Sequence, residues 1–299
     1  MYIITLVFLF KETSKAFQTY KYFIIVHIII NMISETFVSF LMLPITYLPN
    51  LLIRTTGILS NFGFSGIFQW YVLATLVMLT GGSICEMFYY RFEVSVFDYK
   101  KHKMYVILTV AKWAFRGIVV SHTLFAAFTV NTSIRMIQEE TMKLWTKNPT
   151  MAPEITCYST VMGILDDYIN IVVAVIYVLA LAIGITSAGS CLLYITIVLR
   201  YNNKLSKATI RMQTMFIFSL AVQAAVHGVM IAIPGALFVY ARFSVLTFDK
   251  LALFMMVCLA YHGFFSLCGM ILFTKPIKDK FLCKKRKPNE FLVSTSRVK

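Results

Sequence analysis

The sequence predicts an all-α polytopic membrane helix bundle, and three observations carry that prediction. The 299-residue chain is 59% hydrophobic and only 14% charged, where a soluble domain carries about 25% charged residues. Its apolar residues gather into six long runs. Its basic residues, 28 Lys and Arg against 13 Asp and Glu, collect between alternate runs.

The chain opens on a short apolar stub, "MYIITLVFLF", and then turns basic. Ten helical residues rise about 15 Å, roughly half of a ~30 Å hydrocarbon core. Six full-length runs follow, over roughly 22–48, 62–90, 104–130, 168–199, 212–240 and 251–274. Each meets the ~20 residues that a spanning helix needs. Backbone polar groups in lipid must pair within the segment, so these Ile-, Val- and Phe-rich runs form helices rather than strands. One helical-bundle domain is expected over 1–299, ending in a basic tail over 275–299.

Twenty of the 28 basic residues fall in segments 11–21, 91–103, 200–211 and 275–299, and only six in the alternate segments. Lys and Arg are retained on the cytoplasmic side, so both the 11–21 segment and the carboxyl terminus are expected inside the cell. The opposite loop, 131–167, carries Glu139, Glu140, Glu154, Asp166 and Asp167 and the sequon Asn131-Thr132-Ser133, a glycosylation candidate at Asn131. Six full spans leave the stub too short to cross alone. Two readings remain: an unusual six-span protein, or a seven-span protein whose first helix lacks its outer half.

Several function classes fall away. Net charge of +15 in a soluble protein would point to nucleic acid, but here the bases lie between apolar runs, and no nucleic-acid partner is expected. Cys85, Cys191, Cys258 and Cys268 lie inside apolar runs as small hydrophobes, with no CxxC pair and no His/Cys ligand spacing, so no metal or other cofactor is expected. No small-x-small cleavage site follows the stub. "GFSG" lacks the Lys-Ser/Thr of a phosphate cradle, and Asp166-Asp167 are adjacent and point apart on a helix. The chain reads as a non-enzyme.

The order and spacing of several motifs resemble the nematode serpentine chemoreceptors of class H (Srh), a seven-transmembrane G-protein-coupled receptor family. "FKETSKAFQTYKYFIIVH" is similar to the turn between that family's first and second helices, with Glu12-Thr13-Ser14 where Thr-Pro is usual. "SETFVSFLMLPITYLP" resembles its second helix, with Glu35 and a Pro44, Tyr47, Pro49 exit. "GILSNFGFSGIFQWY" is similar to the Gly-rich opening of the third. "LSKATIRMQTMFIFSLAVQ" resembles the sixth through Ser206, Thr209, Gln213 and Gln223, and "YHGFFSLCGMILFTKPIKDKF" the seventh. Two positions depart. Phe88-Tyr89-Tyr90-Arg91 keeps the arginine at the inner end of the third helix without its usual local acid, and Pro276 is followed by Ile277-Lys278 in place of Tyr-Arg. The stub then reads as a truncated first helix. The resemblance implies a chemosensory receptor in the plasma membrane, in a sensory cilium, binding a small odorant or soluble chemical and signalling to a heterotrimeric G protein. The alternatives are a truncated product that does not signal, and a small-solute transporter or channel, for which no paired repeats appear.

Polar residues in the upper-middle layer of a receptor-like bundle are the ligand-binding candidates: Gln69, Trp70, Gln223, His227, Tyr261 and His262. His227 lies about 22 Å from the inner end of its helix and His262 about 16 Å from the outer end of its own. Arg91, Arg200, Lys204, Lys207, Arg211 and Lys278 are candidates to face the G protein. Glu35 and Arg116 sit at similar depths, about 20 and 18 Å from the inner side, which leaves two readings: an intramembrane ion pair between them, or Lys112 and Arg116 snorkelling to headgroups. Pro234 is a hinge candidate. In "KPIKDKFLCKKRKPNEF" the bases would adhere to an anionic leaflet and Cys283 is a lipidation candidate.

Overall fold

Six helices among the described residues are long and apolar enough to cross a membrane. The computed structural model describes residues 1–11, 18–47, 52–162, 168–201, 206–234, 237, 240 and 249–273. A nine-residue helix α1 (Tyr2–Phe10) precedes them. Helix α2 (Gln18–Thr36) runs on as a π-helical turn over Phe37–Met42, closed by the bond from Leu43 N–H to Val38 O at 3.0 Å. Leu43 then adopts φ 43°, a left-handed conformation that stops the helix before Pro44.

Three short strands follow from the loops. Antiparallel β1 (Pro44–Tyr47) and β2 (Leu52–Thr55) form a ladder that β3 (Thr160–Met162) extends in the order β1-β2-β3. The all-α expectation holds for the bundle, and the sheet is an addition to it. Outside the lipid-embedded helices these backbones still carry donors and acceptors, and they satisfy one another across the loops.

A short α3 (Ile58–Asn61) leads to α4 (Gly66–Ser95), which is capped by the Ser65 hydroxyl accepting from Phe68 N–H at 3.3 Å. Helix α5 (Lys103–Lys147) has 45 residues, about 68 Å of helix, far more than the bilayer requires. Its last third packs on the sheet, Ile137 joining Ile53 and Val161 in one buried cluster. Helices α6 (Tyr168–Tyr201), α7 (Lys207–His227, continued as a π-turn over Gly228–Ala232) and α8 (Asp249–Phe273) complete the bundle. The Ser206-x-x-Thr209 motif is the N-cap of α7, with Ser206 Oγ accepting from Thr209 N–H at 3.2 Å.

Helix α4 is the hub, packed against α2, α5, α6 and α7, while α8 closes the ring between α7 and α2 and α1 lies on α2. The largest core cluster lies toward the end opposite the sheet. Met87, Phe88 and Phe92 of α4 meet Ile24 and Ile28 of α2, Ile195 of α6 and Leu220 of α7. Side chains such as Val110, Phe128, Val178 and Leu193 point outward instead. On a water-soluble protein such a belt would be a liability, whereas lipid solvates it at no cost.

The sheet end is fastened to the bundle through Gly66. Its N–H donates to Tyr158 O at 3.1 Å, and a Cβ there would run into the Ser159 backbone, so only glycine admits the approach. Thr55 N–H donates to Ser159 O at 3.0 Å from the other side. No disulfide staples this loop among the described residues, and Cys157 is free and exposed.

Candidate functional site

A cavity of about 480 Å³ lies among α4, α5, α6, α7 and α8, with Ile53 of β2 in its wall at the sheet end. Trp70, Met78, Phe115, Tyr177, His227 and Met255 line it. No Asp, Glu, Lys or Arg contributes to the wall among the described residues. The π-turn and Pro234 shape one side: Gly228, Ile231 and Pro234 all face the cavity. Proline has no N–H and its ring crowds the carbonyl four residues back, so the helix widens just before it.

Of the sequence-predicted ligand residues, Trp70 and His227 line the cavity and the others do not. Gln69 is fully buried and stitches α3 to α4, its amide donating to Ser60 Oγ and Phe64 O, both at 3.1 Å. Gln223 reaches Ser219 Oγ at 3.5 Å within its own helix. His262 is buried beside His227, ring centroids 5.3 Å apart. Tyr261 is a correction: it lies 52% exposed on the outward face of α8, because one residue of helix turns the side chain about 100° from His262.

Two histidines that the sequence reading left aside are part of the same interior. His27 of α2 lies tilted against His227, ring centroids 5.6 Å apart, its Nδ1 on Ser83 Oγ at 2.7 Å and its Nε2 on Asn31 Nδ2 at 3.0 Å. His122 of α5 bridges Thr75 Oγ1 at 3.3 Å and the Tyr177 hydroxyl at 3.2 Å, behind the cavity wall. The signal that marks both is an ionisable side chain inside an apolar run.

The Glu35–Arg116 reading is also corrected. Arg116 pairs with Glu86 of α4, Nε and Nη2 lying 2.9 and 2.6 Å from one carboxylate oxygen. Helix α5 packs on α4 and α6, while Glu35 faces α8 and α1. There its carboxylate accepts from Phe264 N–H, with the Tyr2 hydroxyl alongside. Similar depth placed the two charges in one layer but on different sides of the bundle. Lys112, one turn before Arg116, has its ammonium 3.7 Å from the Tyr89 ring centroid.

At the end opposite the sheet, Arg91 is buried at 3% exposure, so it is not a surface contact in this structure. Its guanidinium lies 3.5 Å from the Tyr20 ring and 4.0 Å from Phe216, and Nη1 donates to Gln213 Oε1 at 3.4 Å. None of the ion pairs among the described residues involves it. Arg200, Lys207 and Arg211 are exposed around that end. Lys204, Lys278 and Cys283 lie outside the described residues. In the turn joining α4 to α5, Lys101 pairs with Asp98 at 2.8 Å, and that carboxylate raises the ammonium pKa. Asn131 is exposed on α5, while Ser133 of its sequon is buried with its hydroxyl 3.2 Å from that of Tyr71. No group of three or more His, Cys, Asp or Glu among the described residues is arranged to hold a metal ion.

No curated protein and no solved structure matches the chain. One family model does, that of the serpentine type 7TM GPCR chemoreceptor Srh, over residues 1–286. That match spans nearly the whole polypeptide, stub, bundle and the start of the tail alike, so the chain belongs to the Srh family of serpentine seven-transmembrane GPCR chemoreceptors.

Proposed function

We propose that the chain is a plasma-membrane chemosensory receptor that binds a small neutral, largely apolar molecule in the cavity and signals to a heterotrimeric G protein. The observation that carries this reading is the cavity itself: about 480 Å³, within the range of small-molecule sites, with no charged side chain in its wall. A charged ligand entering it would lose its hydration without a counter-ion, at a cost of several kcal/mol. The sheet end faces outside, in keeping with the excess of Lys and Arg in the opposite segments. The G protein meets the other end, where Arg200, Lys207 and Arg211 are exposed. Helix α7 reaches both: His227 lies in the cavity wall, and Gln213 and Phe216 hold Arg91. A ligand that binds more tightly when α7 is displaced shifts the population toward that state.

Filling the cavity tests this. Gly184 lies in the wall with only ordinary contacts around a Cβ, so Gly184→Phe leaves the backbone intact and occupies the volume. The expected result is normal surface expression with loss of the second-messenger response to any chemical that activates the parent chain. An unchanged dose–response would place the ligand elsewhere.

A further inference from the structure

We infer that the cavity takes its ligands from the bilayer, through a side opening between α6 and α7 at mid-membrane depth, and that those ligands are lipophiles dissolved in the hydrocarbon core. This rests on the reading of the cavity as the ligand site and adds the route and the class of molecule that can use it.

The opening follows from how the two helices are held. Toward the end opposite the sheet they pack together, Cys191, Ile195 and Leu199 of α6 sharing one cluster with Phe216 and Leu220 of α7, and Ala188 and Ala224 at its edge. Toward the sheet they part. The clusters around Val173 and Ala180 bind α6 to α4 and α5 and contain no described side chain of α7. The π-turn after α7 packs on α8 instead. The cavity lies between, with Leu181, Gly184 and Ile185 on one side and Gly228 and Ile231 on the other.

Exposure shows where the wall is broken. Leu181 and Ile185 line the cavity and are nevertheless 50% and 62% exposed, and Gly228 on the α7 side is exposed too. Side chains that face the interior and the outer surface at once mark a rim. A Cβ on Gly228 would meet no described atom within 4 Å, so the space beside it is open. At the sheet end the wall is shut, Ile53 being 3% exposed and packed with Ile67 and Val161.

Depth then decides what the opening meets. Helix α6 has 34 residues, and Ile185 is close to its midpoint, about 24 Å of helix from Tyr201 and about 26 Å from Tyr168. A ~30 Å hydrocarbon core centred on such a helix puts the rim among lipid chains, away from headgroups and water. Leu181, Ile185 and Ile231 offer a hydrated solute no partner there. A lipophile, by contrast, reaches the rim already concentrated, since hydrocarbon enriches an alkyl chain roughly fourfold per CH₂.

Trp70 in the cavity wall supplies the readout, because bromine quenches indole fluorescence at close contact. The full chain carrying Trp113→Phe and Trp145→Phe keeps Trp70 as its one indole and is placed in nanodiscs. Two probes are compared: free 1-bromooctane, and phosphatidylcholine brominated along its acyl chains, which reaches the cavity only sideways from the bilayer. Both are expected to lower Trp70 emission, and excess octane to restore it by displacement. Gly184→Phe, which fills the cavity, is expected to abolish quenching by either probe, and Gly228→Phe, which fills the rim, to abolish quenching by the brominated lipid. The inference is overturned if bromooctane quenches Trp70 while the brominated lipid does not, or if quenching by the lipid survives Gly228→Phe. If the variants do not fold, the octane competition decides: lipid quenching that octane leaves unchanged overturns the inference as well. Failure of the cavity reading looks different, because bromooctane itself then quenches Trp70 equally with and without Gly184→Phe, or not at all.

Discussion

Arg91 of α4 sits with its guanidinium carbon 3.5 Å from the ring centroid of Tyr20 on α2, and Phe216 of α7 backs it at 4.0 Å. One cation thereby ties three helices at the end opposite the sheet. The tripeptide before it, Phe88-Tyr89-Tyr90, offers no acid, and the nearby Glu86 is engaged with Arg116. Weakly hydrated guanidinium tolerates this because an aromatic face supplies negative potential where a carboxylate is missing.

Removing the ring tests that account. Tyr20→Leu leaves hydrocarbon against a buried cation and is expected to cost about 2 kcal/mol, read as a lower Tm in detergent. Tyr20→Phe keeps the face and loses only the hydroxyl's hydrogen bond with Arg91, so it is expected to fall between the two. Because Phe216 and Gln213 are on α7, loosening the cage in Tyr20→Leu is also expected to raise ligand-independent second-messenger output.

The Glu86–Arg116 pair makes a separate prediction. Both oxygen contacts run to one carboxylate oxygen, and the side chains are 23% and 48% exposed, so the pair faces the edge of the bundle. Breaking it strands a charge in the membrane, where single ionisable groups are costly. Arg116→Glu and Glu86→Arg are each expected to lower surface expression, and the double exchange to restore it. Exchange at Glu35 and Arg116 is expected to restore nothing, since the two contact different helices.

Much of this was legible in residue order alone. Helix existence follows from apolar run length, and the membrane from the scarcity of charge; both are one-dimensional properties. The sheet was hidden because β3 pairs with β2 across more than a hundred residues, and nothing local in Thr160–Met162 marks it. The Glu35–Arg116 reading failed for a related reason. Helical rise gives depth, but azimuth around the bundle depends on which helices touch. Tyr261 shows the same limit within one helix, since its neighbour His262 is buried and it is not. An ionisable ring in an apolar span is itself a signal, yet it does not say which rings line the cavity: His227 does, whereas His262, His27 and His122 do not.

Gly66 offers a test of how the sheet end is held. The loop bearing β3 approaches α4 so closely there that a side chain would meet the Ser159 backbone. Backbone cannot give way as a flexible side chain can. Gly66→Val is therefore expected to displace the loop, losing the Gly66–Tyr158 and Thr55–Ser159 bonds and exposing the wall at Ile53. Faster deuterium exchange at Thr55 and Gly66 checks this, and Gly66→Ala is expected to give the same direction with a smaller rise. A variant that exchanges like the parent chain would show that the loop is held elsewhere.

The direction in which the chain threads the bilayer has its own consequence. Segments 91–103 and 200–211, around the turns joining α4 to α5 and α6 to α7, together with the 275–299 tail, carry seventeen of the 28 Lys and Arg. Translocating such segments is opposed during insertion, so they are expected to remain cytoplasmic and the three-stranded sheet to emerge outside. An epitope placed after residue 290 is expected to bind antibody only once cells are permeabilised, and one in the 148–152 turn on intact cells. Reversing the bias checks the cause as well as the outcome. Replacing Lys100, Lys101 and Lys103 by Gln while adding three Lys between Asn148 and Met151 is expected to yield a mixed population, with a fraction of chains exposing the tail. If labelling stays one-sided in that variant, the distribution of positive charge is not what sets the topology.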